Sequence, residues 1–169
     1  IAFDLRIEGT SRVVFATTGN NTTVDVGQDF LYSSTNSAGS NTNSTGTTVI
    51  TVGRDFEMNA PGGRLTLASG TGAGSGTLNI TQHFDLIAGE ITETSSGTGA
   101  GNIEFNTSTD SEFSNTGTIS NTINYFVSSL SSLDLGTSAA AGLGEFEVDG
   151  GEILLGSTDA GGALQTGST

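Results

Sequence analysis

The chain has 169 residues, of which 33% are hydrophobic and 7% aromatic, with 26 glycines, no Cys, no Trp and a net charge of −14. That apolar share is thin for a compact globule of this length, and the negative field excludes the basic footprint that nucleic acid needs and opposes docking on anionic lipid. Without cysteine there are no disulfides and no thiolate metal sites; without an apolar run of roughly 18 residues there is no direct membrane insertion.

In chain order, the first element is Ile1-x-Phe3-x-Leu5-x-Ile7. Its alternation is that of a strand with one apolar face. No signal peptide precedes it, so a processed or excised segment is expected. Residues 1–19 are taken as an N-terminal strand, cap or junction lying outside the repeat.

The repeat begins after residue 20. Val24-x-Val26 leads to Phe30-x-Tyr32, Ile50-x-Val52 to Phe56-x-Met58, and Leu78-x-Ile80 to Phe84-x-Leu86. The three stretches align without gaps: apolar-x-apolar, three polar or Gly residues, then Phe-x-apolar. Phe56 follows Phe30 by 26 residues, and Phe84 follows Phe56 by 28. Each unit continues through a Gly-rich turn into another short alternating run, Leu65-x-Leu67 in one and Ile91 in the next. Between the first two units, residues 33–47 form a polar stretch read as a mobile loop excursion.

Beyond residue 100 the spacing loosens. Ile103-x-Phe105, Ile119, Ile123-x-Tyr125-x-Val127, Leu133-x-Leu135, Phe146-x-Val148 and Ile153-x-Leu155 are further short strands. Ala139–Ala141 is the one weak helix candidate. Residues 163–169 are read as a polar tail.

A unit of some 26 residues cannot bury its own apolar side chains, whereas stacked units make a continuous core. The expected fold is all-β, a parallel β-solenoid (β-helix) of five to six irregular coils over residues 20–162. Phe30, Phe56, Phe84 and Phe146 are expected to form an internal aromatic ladder, with rungs about 4.8 Å apart. A β-sandwich is the alternative, since its strands also alternate.

The stretches GTLNITQHFDLIAGEITETSSGTGAGNIEFN (76–106), GTISNTINYFVSSLSSLDLGTS (117–138) and GEFEVDGGEILLGSTDAGG (144–162) resemble the repetitive β-strand regions of large Bacteroidetes surface proteins exported by type IX secretion. As a pattern the resemblance covers residues 20–162; ITETSSGTGAGNIEFN, LDLGTS and ILLGS are its most specific parts. It implies an extracellular filler, stalk or adhesin region on the cell surface, with no catalytic residue to carry over. The chain departs from the family's usual Ser/Thr/Gly segments at Glu145, Glu147, Asp149 and Glu152. The family's C-terminal sorting signal is not in this sequence, which leaves the export route to the repeats alone.

Chemistry-bearing residues are few. His83, the only histidine, aligns with Asp29 and Asp55 and is read as an exposed turn residue. Glu145, Glu147 and Asp149 alternate with Phe146 and Val148 and are read as one solvated acidic face. The sharper reading is weak Ca²⁺ binding by Asp149 and Glu152 around the Gly150-Gly151 turn; calcium needs six to eight oxygens, and neither an EF-hand loop nor a calcium-binding nonapeptide is present. Glycine runs such as Gly70-Thr71-Gly72-Ala73-Gly74 lack the Gly-Lys-Ser/Thr ending of a phosphate loop. No cofactor is expected. The sequons at Asn20, Asn21, Asn43, Asn79 and Asn106 are what chance gives in so Asn- and Thr-rich a chain.

The functional expectation is a structural or adhesive segment, not an enzyme. Its partners would be further repeats or neighbouring copies added through strand edges, and surface glycans. Two alternatives stand beside it. An ice-binding solenoid would need Thr-x-Thr in register on successive coils, and Thr45/Thr47, Thr92/Thr94, Thr107/Thr109 and Thr116/Thr118 occupy different places in the repeat. A carbohydrate-active β-helix would need two carboxyls flanking a sugar.

Overall fold

The computed structural model describes residues 2–16, 19–41, 45–95, 97–106, 110–120 and 122–127, and the strand segments 132–134, 139–141, 146–148, 152–154 and 163–165. Every described element is a strand, and every pairing among the described strands is parallel. In chain order they are β1 (Leu5–Ile7), β2 (Thr22–Val26), β3 (Phe30–Tyr32), β4 (Ser40–Asn41), β5 (Thr47–Val52), β6 (Phe56–Gly70), β7 (Ser75–Ile80), β8 (Phe84–Ser95), β9 (Gly101–Phe105), β10 (Asp110–Asn115), β11 (Thr118–Ile119), β12 (Asn124–Val127), β13 (Ser132–Asp134), β14 (Ala139–Ala141), β15 (Phe146–Val148), β16 (Glu152–Leu154) and β17 (Ala163–Gln165).

Their pairing is that of a β-solenoid with three faces. The first face stacks β2, β5, β7, β9, β12 and β15. The second stacks β1, β3, the first part of β6, the first part of β8, β10, β13 and β16. The third takes β4, the later part of β6, the later part of β8, and β11, in the register Ser40, Leu65, Ile91, Ile119. Four regular turns, begun by β2, β5, β7 and β9, each give a strand to the first two faces, fewer than the five to six coils expected. Short strands continue both sheets past them, and β14 pairs with β17 in a separate two-stranded sheet. The Ala139–Ala141 segment is therefore strand, not helix, and part of the expected tail, Ala163–Gln165, is its partner.

The gapless alignment read in the sequence is the physical register. Val24, Ile50, Leu78, Ile103 and Tyr125 lie opposite one another across the first face, and Val26, Val52, Ile80, Phe105 and Val127 form the next row. On the second face Leu5, Phe30, Phe56, Phe84 and Phe113 make one row. Ring centroids are 5.3 Å apart for Phe30–Phe56, 5.3 Å for Phe56–Phe84 and 4.8 Å for Phe84–Phe113, the last two pairs stacked. Each ring thus meets the ring of the turn above at the repeat distance of a parallel sheet.

Phe146 does not belong to that row. β15 pairs with β12 on the first face, setting Phe146 opposite Tyr125, and the rung after Phe84 is Phe113. The physical reason is that Phe-x-apolar suits either face; only the length of the preceding turn distinguishes them.

Two other expectations are corrected. Residues 33–41 are not an excursion: Ser34 and Ser40 are fully buried, and β4 supplies the first rung of the third face. The N-terminal strand is not outside the repeat: β1 pairs with β3 in register, Leu5 with Phe30 and Ile7 with Tyr32. Residues 42–44 lie outside the described residues.

Corners demand close backbone approach. A Cβ on Gly53 would sit 2.6 Å from the Gly27 carbonyl oxygen of the turn before. At the second corner of β8, Gly89 has φ +110°, and a Cβ there would sit 2.8 Å from the Ala60 carbonyl oxygen. Only glycine fits both demands at Gly89.

Candidate functional site

A shallow groove lies along the corner between the first and second faces. This corner is built by the polar triplets Gly27-Gln28-Asp29, Gly53-Arg54-Asp55 and Thr81-Gln82-His83. Backbone bonds continue straight through it. The Phe30 amide donates to the Asp55 carbonyl (2.9 Å) and the Phe56 amide to the His83 carbonyl (2.9 Å); Arg54 donates to Gln28 (3.0 Å) and Gln82 to Arg54 (3.1 Å). This explains why the alignment held through polar positions: each corner residue has a fixed partner one turn away.

Side chains stack along the same line. The Arg54 guanidinium grips both carboxylate oxygens of Asp29. That bond, helped by the Asp55 amide, holds the Asp29 carboxyl below its ordinary range against a smaller opposing effect of burial. One turn further, the His83 Nδ1 accepts the Glu112 amide at 3.3 Å, while the Glu112 carboxylate stands 4.0 Å from the same nitrogen.

Around His83 the outward side chains Asp55, Glu57, Asp85, Glu112 and Ser114 line a shallow groove of about 240 Å³, with Phe56 and Phe84 as its floor. Glu57 and Asp85 are register partners on adjacent rungs, a like-charged pair that costs stability unless a cation or water screens it. Among the described residues no group of three His, Cys, Asp or Glu side chains is arranged to hold a metal ion. No Ser or Thr hydroxyl bonds the His83 ring among those residues. The His83 side chain is 46% exposed, in keeping with a turn position that also accepts Asp.

Of the two residues read as calcium ligands, Asp149 lies outside the described residues, and Glu152 opens β16, where it pairs with Ser132. Glu147 pairs with Phe126 on the first face, two rungs beyond Glu104; Glu145 lies outside the described residues. Of the Thr-x-Thr pairs, Thr107 and Thr109 lie outside the described residues, and the others do not stack in one row. Thr47 opens β5 on the first face, Thr92 lies on the third opposite Thr66, and Thr118 stands opposite Glu90 rather than Thr92.

The sequence reading missed an outward row on the first face, polar at Thr51, Asn79 and Glu104 before it reaches Phe126. Burial pushes the Glu104 carboxyl above its ordinary range. Its rung partner Asn79 has a buried Oδ1 with no hydrogen-bond partner. Alternation would have placed both residues outside; their partial burial comes from the neighbouring rungs, including Phe126.

Compared with protein-family models, with curated proteins and with solved structures, the chain matches none.

Proposed function

We propose that the chain is a non-catalytic structural segment, a stalk or adhesive spacer of an extracellular surface protein. The observation that supports this most is the uniform register. Each turn adds one strand to the same two sheets and one ring to the same ladder, so repetition adds length without altering what is already built. Its outer surface is short polar side chains and carboxylates, suited to solubility and to repelling nonspecific contacts. Cell-surface placement, export by the route of the proteins it resembles, and contact with surface glycans belong to the same proposal.

The test is to delete one whole turn, joining Val52 to Thr81, and to compare both chains by small-angle scattering and by polysaccharide turnover. The deleted chain is expected to stay folded and to shorten by about 4.8 Å, with neither chain releasing reducing ends from acidic polysaccharide. Release of reducing ends by the intact chain, abolished by Glu57→Gln or Asp85→Asn, would replace this reading with a carbohydrate-active groove.

A further inference from the structure

Charge is distributed unevenly along the solenoid. The chain has no lysine, and its four arginines, Arg6, Arg12, Arg54 and Arg64, all come at or before residue 64; twelve of the eighteen carboxylates come after it. Stacking converts that order into two kinds of seam between turns. Between the first and second turns, Arg54 grips Asp29 on the rung before. Between the second and third, Glu57 lies opposite Asp85 in register. Asp55 and Glu112 stand on the rungs to either side of His83 and line the same groove. Further on, Glu112 lies opposite Asp134 in register.

Arginine does not relieve the groove. Arg64 reaches Glu90 at 2.7 Å, but on the third face, a corner away. Arg54 is engaged with Asp29, and no arginine is among the residues that line the groove. Carboxylates therefore stack there at the rung spacing of about 4.8 Å. Like charges directly opposite destabilise a strand pair, and opposite charges stabilise it. Salt weakens both effects, because the screening length falls from about 30 Å at 0.01 M to about 10 Å at 0.1 M. It thus acts on the two kinds of seam in opposite senses. The fully buried rings of Phe30 and Phe56 hold the turns together in either case; what changes is how readily a seam opens locally.

We propose that the corner groove is a salt-sensitive seam of the solenoid. At low ionic strength its stacked carboxylates loosen the second-face contact between the second turn and those that follow, and counterions close it. The contact between the first and second turns, held by the Arg54–Asp29 pair, loosens instead as salt rises. The later part of the solenoid therefore stiffens on passing from dilute to saline surroundings, and the earlier part does not. The inference goes beyond the spacer reading and does not rest on it.

Amide exchange on the chain of residues 1–169 reads each seam separately. The Phe56 amide, bonded to the His83 carbonyl, and the Thr116 amide, bonded to the Leu86 carbonyl, report the seams after the second turn. The Gly53 and Arg54 amides, bonded to the Val26 and Gln28 carbonyls, report the seam before it. The measurement is made at about pH 8, where exposed carboxylates are ionised. From about 10 mM to about 500 mM sodium chloride, protection at Phe56 and Thr116 is expected to rise about fivefold relative to Gly53 and Arg54. Asp85→Asn is expected to remove most of the rise at Phe56. Asp85→Arg is expected to reverse it, since an arginine opposite Glu57 makes an attractive pair that salt weakens. Glu57→Gln decides in its place if circular dichroism shows Asp85→Arg unfolded. Calcium chloride at matched ionic strength is expected to act in the same direction without saturating. Equal responses at all four amides, the result of whole-chain repulsion alone, would overturn the proposal. So would a salt response unchanged by Asp85→Asn and Glu57→Gln, or protection that saturates at micromolar calcium, which marks a bound cation instead of screening.

Discussion

The middle turns and the first turn use the same register for different interiors. In the middle, Phe56, Met58, Leu65, Leu67, Leu78 and Ile80 are all fully buried. One rung earlier the row that holds Met58 and Leu86 holds Tyr32, and the row that holds Leu65 and Ile91 holds Ser40. There the Tyr32 hydroxyl donates to the Arg64 carbonyl (2.7 Å) and accepts the Ser40 amide (3.2 Å), while the Ser40 Oγ accepts the Val13 amide (3.0 Å). Ser34 donates to the Ser11 carbonyl (2.5 Å). Tyr32 has Ile7 and Met58 on its two sides, whereas Ser40 is the first described rung of its row, and there hydroxyls that bond the wrapping backbone take the place of apolar packing.

The largest expected effect lies in the middle. Phe56→Ala removes the ring between Phe30 and Phe84 and should cost about 3–5 kcal/mol, read by chemical denaturation. Leu5→Ala, on the same row at the open end, should cost only about 1 kcal/mol because its surface is already part exposed. Equal costs would break the comparison.

Next comes Tyr32→Phe, which leaves the Arg64 carbonyl and the Ser40 amide without their hydroxyl partner and should cost about 1–3 kcal/mol. Amide exchange should show the loss around residues 33–41 before it shows it in β5 or β7. Gly53→Ala sharpens the comparison at a corner. A methyl at 2.6 Å from the Gly27 oxygen forces the two turns apart, at a cost of about 1–3 kcal/mol.

How far these features could be read in advance depended on spacing. Phe30, Phe56 and Phe84 each follow an apolar-x-apolar pair by four residues, so their alignment was also their register. Phe113 follows Phe105 by eight residues, and the longer connection through residues 107–109 hid it. Once that spacing was lost, a period of two could not tell one face from another, and Phe146 was set on the wrong sheet. Ser34 and Ser40 read as loop because a buried hydroxyl and an exposed one look alike in sequence. The corner groove was legible only as His83 aligned with two aspartates; Glu57 and Asp85 became neighbours only when the turns stacked. The Glu104–Asn79 pair gave no signal at all.

The smallest effects are electrostatic, and they oppose each other. Burial raises the Glu104 carboxyl, and burial raises Glu93 too, with the Gly101 amide bond working against it. A raised carboxyl contributes stability below its ordinary pKa and loses it as pH climbs through the raised value. Glu104→Gln should therefore stabilise the chain at pH 7 by a few tenths of a kcal/mol and leave it unchanged in acid. Asp29 runs the other way. Held down by the Arg54 bond, it contributes above its ordinary range and loses that contribution as pH falls through the lowered value. Arg54→Ala should remove this acid-side slope, and its effect should fade at high salt because the pair is exposed. Both slopes are read from melting midpoints against pH.

The stacked register itself is tested most directly by paired cysteines, for which the chain offers no background since it has none. Glu57 and Asp85 are outward register partners on adjacent rungs, and Ser114 lies on the rung beyond Asp85. With Cα atoms about 4.8 Å apart, Glu57→Cys with Asp85→Cys should oxidise to a disulfide in the folded chain. Glu57→Cys with Ser114→Cys, two rungs apart, should not. A disulfide in the second pair and none in the first would contradict the solenoid register on which the account depends.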